Sequence, residues 1–202
     1  MGQLRVIKRR RRMKKLNPKE IIVPIAVLLI ICVGVTAILA AVNNLTKEPI
    51  AQQAQQKAEQ ARAVVLPNAE SFEQVSAELD GVSDAYKGIK NGETVGYTFT
   101  ASSNGYGGAV EVMVGIDSAS GEISGVSILS QSETPGLGAN AVKSEFTDQY
   151  KQKAQEITVI KNAEPKDGEI EALTGATITS KAVTSAVNNA VAAYEEIVKG
   201  GE

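Results

Sequence analysis

Between Ile21 and Val42 the chain carries no charged side chain and consists mostly of Ile, Val, Leu and Ala. No other feature constrains the fold as strongly, because a run this apolar has to be withdrawn from water. As an α-helix rising about 1.5 Å per residue it would reach roughly 33 Å, enough to cross a bilayer hydrocarbon core of about 30 Å. Pro24 falls in the first turn of a helix that begins at Ile21, where its missing N–H costs little. A cleaved signal peptide has an apolar core of only about 7 to 15 residues, so the length favours an uncleaved anchor; Ala37 to Ala41 is the one place where a cleavage site could be read. N-myristoylation does not fit, because Val6 stands where that motif requires Ser or Thr.

The net charge of −2 conceals a division along the chain. Residues 1–20 hold nine basic side chains (Arg5, Lys8, Arg9, Arg10, Arg11, Arg12, Lys14, Lys15 and Lys19) against Glu20, which leaves −10 for the remainder. A basic cluster can bind nucleic acid, yet one placed directly before a membrane span is explained by the tendency of basic residues to stay in the cytoplasm. Attraction to anionic lipid head groups adds to this. With the N-terminus cytoplasmic, residues from Asn43 onward are expected outside the cytoplasmic membrane, and no nucleic-acid partner is expected.

The single cysteine, Cys32, lies within the apolar run, and the chain has no histidine. The part beyond the membrane therefore has no means of forming a disulfide, a thiolate metal site or an iron–sulfur cluster. A Ser-His-Asp triad and His ligation of haem or zinc are excluded as well. Redox chemistry in such a domain has to come from a bound organic cofactor.

Thr46 to Val65 is rich in Ala, Gln, Lys and Glu, with Pro49 early enough for a first turn, and reads as a solvated helix ended by Leu66-Pro67-Asn68. Ala69 to Leu79 reads as a second short helix or a loop. Val95, Tyr97 and Phe99 alternate, as do Val110, Val112, Val114 and Ile116, and Ile123 to Leu129 follows a Ser118 to Gly121 turn. That pattern predicts a hairpin in an antiparallel sheet. Gly138 to Ala154 is expected as a helix, Ile157 to Lys161 as a short strand and Ala163 to Gly168 as a loop. A final helix from Ser180 to Val198 places Val183, Ala186, Val187, Ala190, Val191, Tyr194 and Ile197 on one face. The expected class is α+β. The expected divisions are a basic tail (1–20), a transmembrane helix (21–42), a helical stalk (43–66) and a folded domain (67–202).

Chemistry concentrates in Glu171-Ala172-Leu173-Thr174-Gly175-Ala176-Thr177-Ile178-Thr179-Ser180, where four hydroxyl side chains surround a Gly-Ala turn before the last helix. The residues alone admit two readings. Ser and Thr are the usual helix N-caps; equally, a phosphate carried on Thr177 would meet the unpaired N–H groups and positive dipole end of the helix. Two further blocks stand out, Glu133-Thr134-Pro135-Gly136-Leu137-Gly138 and Gly105-Tyr106-Gly107-Gly108. The first reads as a type II turn with a backbone that a flat ligand can approach, and the second as a hairpin connection.

These three blocks, in their order along the chain, resemble the covalent FMN-binding domain family, in which an acidic residue and two spacers precede Ser/Thr-Gly-Ala-Thr. Over nearly its whole length the chain is similar to the G subunits of Rnf-type electron-transport complexes; the C subunits of Na+-translocating NADH:quinone reductases are the rival within the same resemblance. The resemblance implies an extracytoplasmic FMN-binding domain with an antiparallel sheet and flanking helices. It implies FMN joined to Thr177 by a phosphoester, with Thr174, Gly175 and Ala176 around the attachment point. Glu133, Thr134, Leu137 and Tyr106 would border the ring, Thr134 by hydrogen bonding, Leu137 by packing and Tyr106 by stacking. The implied partners are the other Rnf subunits, a flavin transferase that attaches FMN, and the lipid bilayer. The implied role is electron relay in a machine coupling ferredoxin and NAD to Na+ or H+ transport. Glu171 stands where the family usually has Asp, and Gln131 where it often has His, the latter a change in polar contacts near the ring. Two rival readings remain at this level: a stand-alone anchored flavoprotein, and a cofactor-free membrane-tethered binding module.

Overall fold

The computed structural model describes residues 18–76 and 79–200. The basic run from Arg5 to Lys15 therefore lies outside the described residues. The chain divides into two compact units, Met1–Ala51 and Gln52–Glu202. Helix α1, Pro18–Val65, contains the boundary between them.

Within the first unit α1 carries the apolar run, and Ile22, Leu28, Ile30, Ile38 and Leu39 are all exposed, as a surface meant for lipid would be. Helix α1 is long and apolar enough to cross a membrane. In place of two separate helices, each starting near a proline, the structure has one helix with both Pro24 and Pro49 inside it. The strong helix formers on either side propagate the helix across positions where one backbone hydrogen bond is lost.

The second unit is built on a five-stranded antiparallel meander in the order β1 (Ser71–Gln74), β2 (Val82–Lys90), β3 (Glu93–Asn104), β4 (Ala109–Asp117) and β5 (Ile123–Ser130). Strand β1 replaces the helix or loop expected between Ala69 and Leu79. Helix α3, Thr177–Gly200, covers one face of the sheet. Its Val183, Ala186, Val187 and Ala190 are fully buried against Phe99, Val112, Val114 and Ile116. These residues recur at the spacing that keeps one helical face on the sheet, and the strand residues alternate as a half-covered strand requires. The structure is α+β with an antiparallel sheet and helices, following a long N-terminal apolar helix.

The last turns of α1 are not solvated as expected. Ala61, Val65 and Leu66 are buried, and Val65 packs with Ala61 on Met113, on the sheet face away from α3. Gly88 and Gly96 pair across β2 and β3, as Gly115 and Gly125 do across β4 and β5. A Cβ on Gly88 or Gly96 would strike Leu66, and one on Gly115 or Gly125 would strike the Val65 backbone. Ser124 Oγ donates to the Val65 carbonyl, closing the helix end, and the Arg62 guanidinium lies 3.6 Å over the Tyr86 ring.

From Gly138 to Ala154 the expected single helix is broken into a 3-10 turn (Gly138–Val142), a short α2 (Ser144–Thr147) and a second 3-10 turn (Asp148–Tyr150). Lys143 interrupts it with an extended backbone, φ −78° and ψ 145°. Phe146 and Tyr150 are nevertheless one turn apart and meet edge to face in the core, 5.6 Å between centroids. The expected strand near Ile157 is β6, Thr158–Ile160, and it pairs in parallel with an unanticipated β7, Glu169–Glu171.

Candidate functional site

Three segments converge at one end of the domain. The turn from β3 to β4, residues 105–108, is closed by Gly105 N–H donating to the Gly108 carbonyl at 2.8 Å, which leaves Tyr106 exposed at the tip. Thr134 to Leu137 forms the expected type II turn, with Pro135 followed by Gly136 at φ 79° and the Leu137 N–H bonded to the Thr134 carbonyl at 3.1 Å. Leu173 to Ala176 turns into α3 through Gly175 at φ 75°. The Ser180 hydroxyl fixes that turn, donating to the Ala176 carbonyl at 3.0 Å and accepting from Leu173 N–H at 2.9 Å.

Between these segments lies a cleft of about 730 Å³. All eight residues named from the sequence line it: Tyr106, Glu133, Thr134, Leu137, Thr174, Gly175, Ala176 and Thr177. Their exposures differ. Thr174 is exposed, Thr177 half-buried at the first position of α3, and Ala176 buried. Leu137 and Ile178 present apolar side chains that are about half exposed, 44% and 55%.

Glu133 is buried at the cleft wall and both of its carboxylate oxygens are used. Oε2 accepts from Thr179 Oγ1 at 2.6 Å and Oε1 from the Gly107 N–H at 3.0 Å. Burial pushes the Glu133 carboxyl up, but the Thr179 hydroxyl and the backbone N–H groups of Gly107 and Tyr106 outweigh it and hold the group below its ordinary value. It is therefore ionised at neutral pH.

Sequence reasoning missed Lys161 and Asn162, which reach the cleft from the end of β6. Among the described residues lining the cleft, Lys161 is the one cation. No local motif marks it, since it enters only through the β6–β7 pairing. The partnership of Thr179 with Glu133 was also missed, spanning 46 positions in sequence. Glu171 lines the cleft and is exposed; the Gln149 side-chain amide holds its backbone, accepting from Glu171 N–H at 2.7 Å. Gln131 accepts from the Glu133 N–H at 2.6 Å, fixing the backbone of that loop, and is not among the residues lining the cleft.

Residues 105–192 match the FMN-binding domain family, and residues 13–65 match the RnfG N-terminal region. The chain is 42% identical over 155 residues to the G subunit of the proton-translocating ferredoxin:NAD+ oxidoreductase complex of Clostridium ljungdahlii, covering 76% of this chain and 80% of that one. It is 39% identical over 191 residues to the G subunit of the Na+-translocating ferredoxin:NAD+ oxidoreductase complex of Acetobacterium woodii, covering 86% and 91%. The chain belongs to the Rnf G-subunit family. Among solved structures it is similar to the C subunit of the Na+-translocating NADH-quinone reductase of Parabacteroides distasonis, 26% identical with a TM-score of 0.49, covering 56% of this chain and 61% of that one.

The cleft of this Rnf G subunit suits FMN. Its volume falls in the range of about 300 to 1,000 Å³ usual for organic ligand sites. Leu137 and Ile178 give the cleft apolar surface, and the first turn of the 24-residue α3 has N–H groups without intrahelical partners, which an anion can use.

Proposed function

We propose that this chain is the membrane-anchored flavoprotein subunit that relays electrons within an Rnf-type complex, with FMN esterified through its phosphate to Thr177. The observation that carries the attachment is the sorting of hydroxyls at the start of α3. Thr179 is 1% exposed and donates its hydroxyl hydrogen bond to Glu133, and Ser180 is buried and bonded to Ala176. Thr177 lines the cleft at the first helical position, where a phosphate meets the first-turn N–H groups and the positive dipole end. Thr174 is exposed, before the turn.

When bound, FMN supplies one- and two-electron redox chemistry to a domain with neither thiol nor imidazole. The chain's own residues bind and orient it. Leu137 and Ile178 would hold the ring by packing, Tyr106 by stacking and Thr134 by hydrogen bonding, and Lys161 would bring positive charge to the cleft.

Attachment requires a separate flavin transferase, because an alcohol is a weak nucleophile without an activating base and this chain has no histidine. The P–O bond to Thr177 Oγ forms as a phosphoanhydride bond breaks in an activated FMN donor. With a flavin adenine dinucleotide the leaving group is AMP, and the hydroxyl proton passes to a base on the transferase. Exposed Glu171, its backbone held by Gln149, guides that enzyme. A covalent link prevents loss of the cofactor by mass action where free FMN is scarce. The basic N-terminal tail points to a cytoplasmic N-terminus and an extracytoplasmic flavin domain.

The partners are the other Rnf subunits. Both relatives belong to complexes named ferredoxin:NAD+ oxidoreductases, one proton-translocating and one Na+-translocating. Coupling of that electron transfer to ion movement is carried over to this chain as a property of the assembled complex.

Denaturing electrophoresis under ultraviolet light tests the attachment, comparing the wild-type chain with Thr177→Val, both produced with a flavin transferase. A fluorescent band is expected in the wild type and lost in Thr177→Val. Survival of the band in Thr177→Val, with loss in Thr174→Val or Thr179→Val, would assign a different acceptor.

A further inference from the structure

We propose that Glu133 is a positioning residue of the flavin site: its carboxylate clasps the hairpin tip that carries Tyr106 to the first helical turn that carries Thr177, instead of touching the ring itself. The inference rests on the reading that Thr177 carries the flavin.

The clasp is visible as a set of satisfied bonds and cleared space. One oxygen accepts from Gly107 N–H in the β3–β4 turn, the other from Thr179 Oγ1 in α3, and the Glu133 backbone belongs to a third segment. Two glycines of the flanking blocks leave no room for a side chain beside the carboxylate. A Cβ on Gly105 would strike Oε1, and a Cβ on Gly138 would meet Oε2 and the Thr179 hydroxyl. A Cβ on Gly107 would collide with the Ser132 carbonyl beside it. Three glycines in two motif blocks are thus accounted for by one side chain and its own loop, without reference to a ligand.

Keeping a buried charge is costly unless its bonds are made, and a fold that needed only to join three segments could have used apolar side chains at less risk. What a carboxylate adds is direction. It accepts from two elements at fixed angles, so the distance between Tyr106 and Thr177 is set by hydrogen-bond geometry instead of by soft packing. Such precision matters where a redox ring must be held in one pose.

Thr179→Val breaks the clasp without altering the charge, and Thr179→Ser keeps the hydroxyl. Glu133→Gln removes the charge and turns an N–H2 group toward one of the donors. In the detergent-solubilised full chain without flavin, Thr179→Val is expected to speed hydrogen exchange of the 104–109 hairpin tip, although residue 179 lies on another element. Thr179→Ser is expected to restore wild-type exchange. In the flavin-loaded chain, Thr179→Val and Glu133→Gln should each reduce the visible circular dichroism of the flavin and increase iodide quenching of its fluorescence. The double variant should be no worse than the more affected single variant.

Unchanged exchange at the hairpin tip in Thr179→Val would overturn the clasp, and this readout needs no flavin. A flavin signal altered by Glu133→Gln but untouched by Thr179→Val would make Glu133 a ring contact and also overturn it. Absence of a covalent flavin band in the wild type would overturn the Thr177 reading alone, leaving the exchange result to decide the clasp. If Glu133→Gln does not fold by far-ultraviolet circular dichroism, the Thr179→Val and Thr179→Ser pair still decides.

Discussion

Glycines let other groups approach the domain closely in two places, and the two are used differently. Under the end of α1, Gly88, Gly96, Gly115 and Gly125 clear a trough for Val65 and Leu66, both 0% exposed. At the cleft, Gly105, Gly107 and Gly138 clear space around a carboxylate and the loop that carries it. The trough is filled by the apolar Val65 and Leu66 side chains and the backbone of the helix end, so an error there is mainly one of volume. The cleft clearing is polar and directional, so an error there is one of angle and hydrogen-bond count. The first is tested by the stability of the domain, the second by the geometry of the site.

The comparison breaks most visibly at Gly115. A Gly115→Val chain would drive its side chain into the Val65 carbonyl, a backbone atom that has no rotamer to escape by. A loss of about 3 kcal/mol or more is expected, read as a collapsed thermal transition. Leu66→Ala keeps the trough but empties it, and a urea titration should show a loss of about 2 to 5 kcal/mol with the slope unchanged. At the cleft, Thr179→Val removes one bond to a charged acceptor, so a smaller loss of about 1.5 to 3 kcal/mol is expected in the same titration.

Acid separates the two regions. Glu133 binds its proton less readily in the folded chain than in the unfolded one. Its contribution is therefore present above the ordinary carboxyl value of 4.5 and is lost as pH falls through the depressed folded value. Urea midpoints of wild type and Glu133→Gln should differ at pH 7 and converge as pH falls through the depressed folded value, whereas the Leu66→Ala deficit should persist throughout. The smallest effect on stability is expected at Tyr106, which is 73% exposed. Tyr106→Ala should move the urea midpoint by no more than about 0.5 kcal/mol, while the proposed stacking predicts a changed fluorescence yield of the bound flavin.

Several elements were legible because their signal is local. The alternation of Val110, Val112, Val114 and Ile116 marks β4, and the one-faced pattern from Val183 to Ile197 marks α3. Strand β2 was not legible, because register shifts at Val82/Asp84 and Gly88/Ile89 break its alternation. Phe146 and Tyr150 imitate a continuous helix, since one-turn spacing is satisfied by α2 and the 3-10 turn that follows it. At the cleft, Thr134-Pro135-Gly136-Leu137 carries its own turn chemistry, whereas Lys161 arrives through a parallel pairing that no neighbouring residue announces.

The sequence by itself determined a membrane-length apolar helix, an α+β domain without thiol or imidazole, and three short blocks bearing the motif residues. Each follows from properties that a residue keeps in any fold: charge, side-chain chemistry, periodicity and turn preference. Tertiary structure alone decided that α1 ends in a glycine trough, that the three blocks share one cleft, and that Glu133 bonds to Thr179 and Gly107. Those outcomes depend on which atoms meet across long separations, and chain topology and close packing set such meetings where local preference does not.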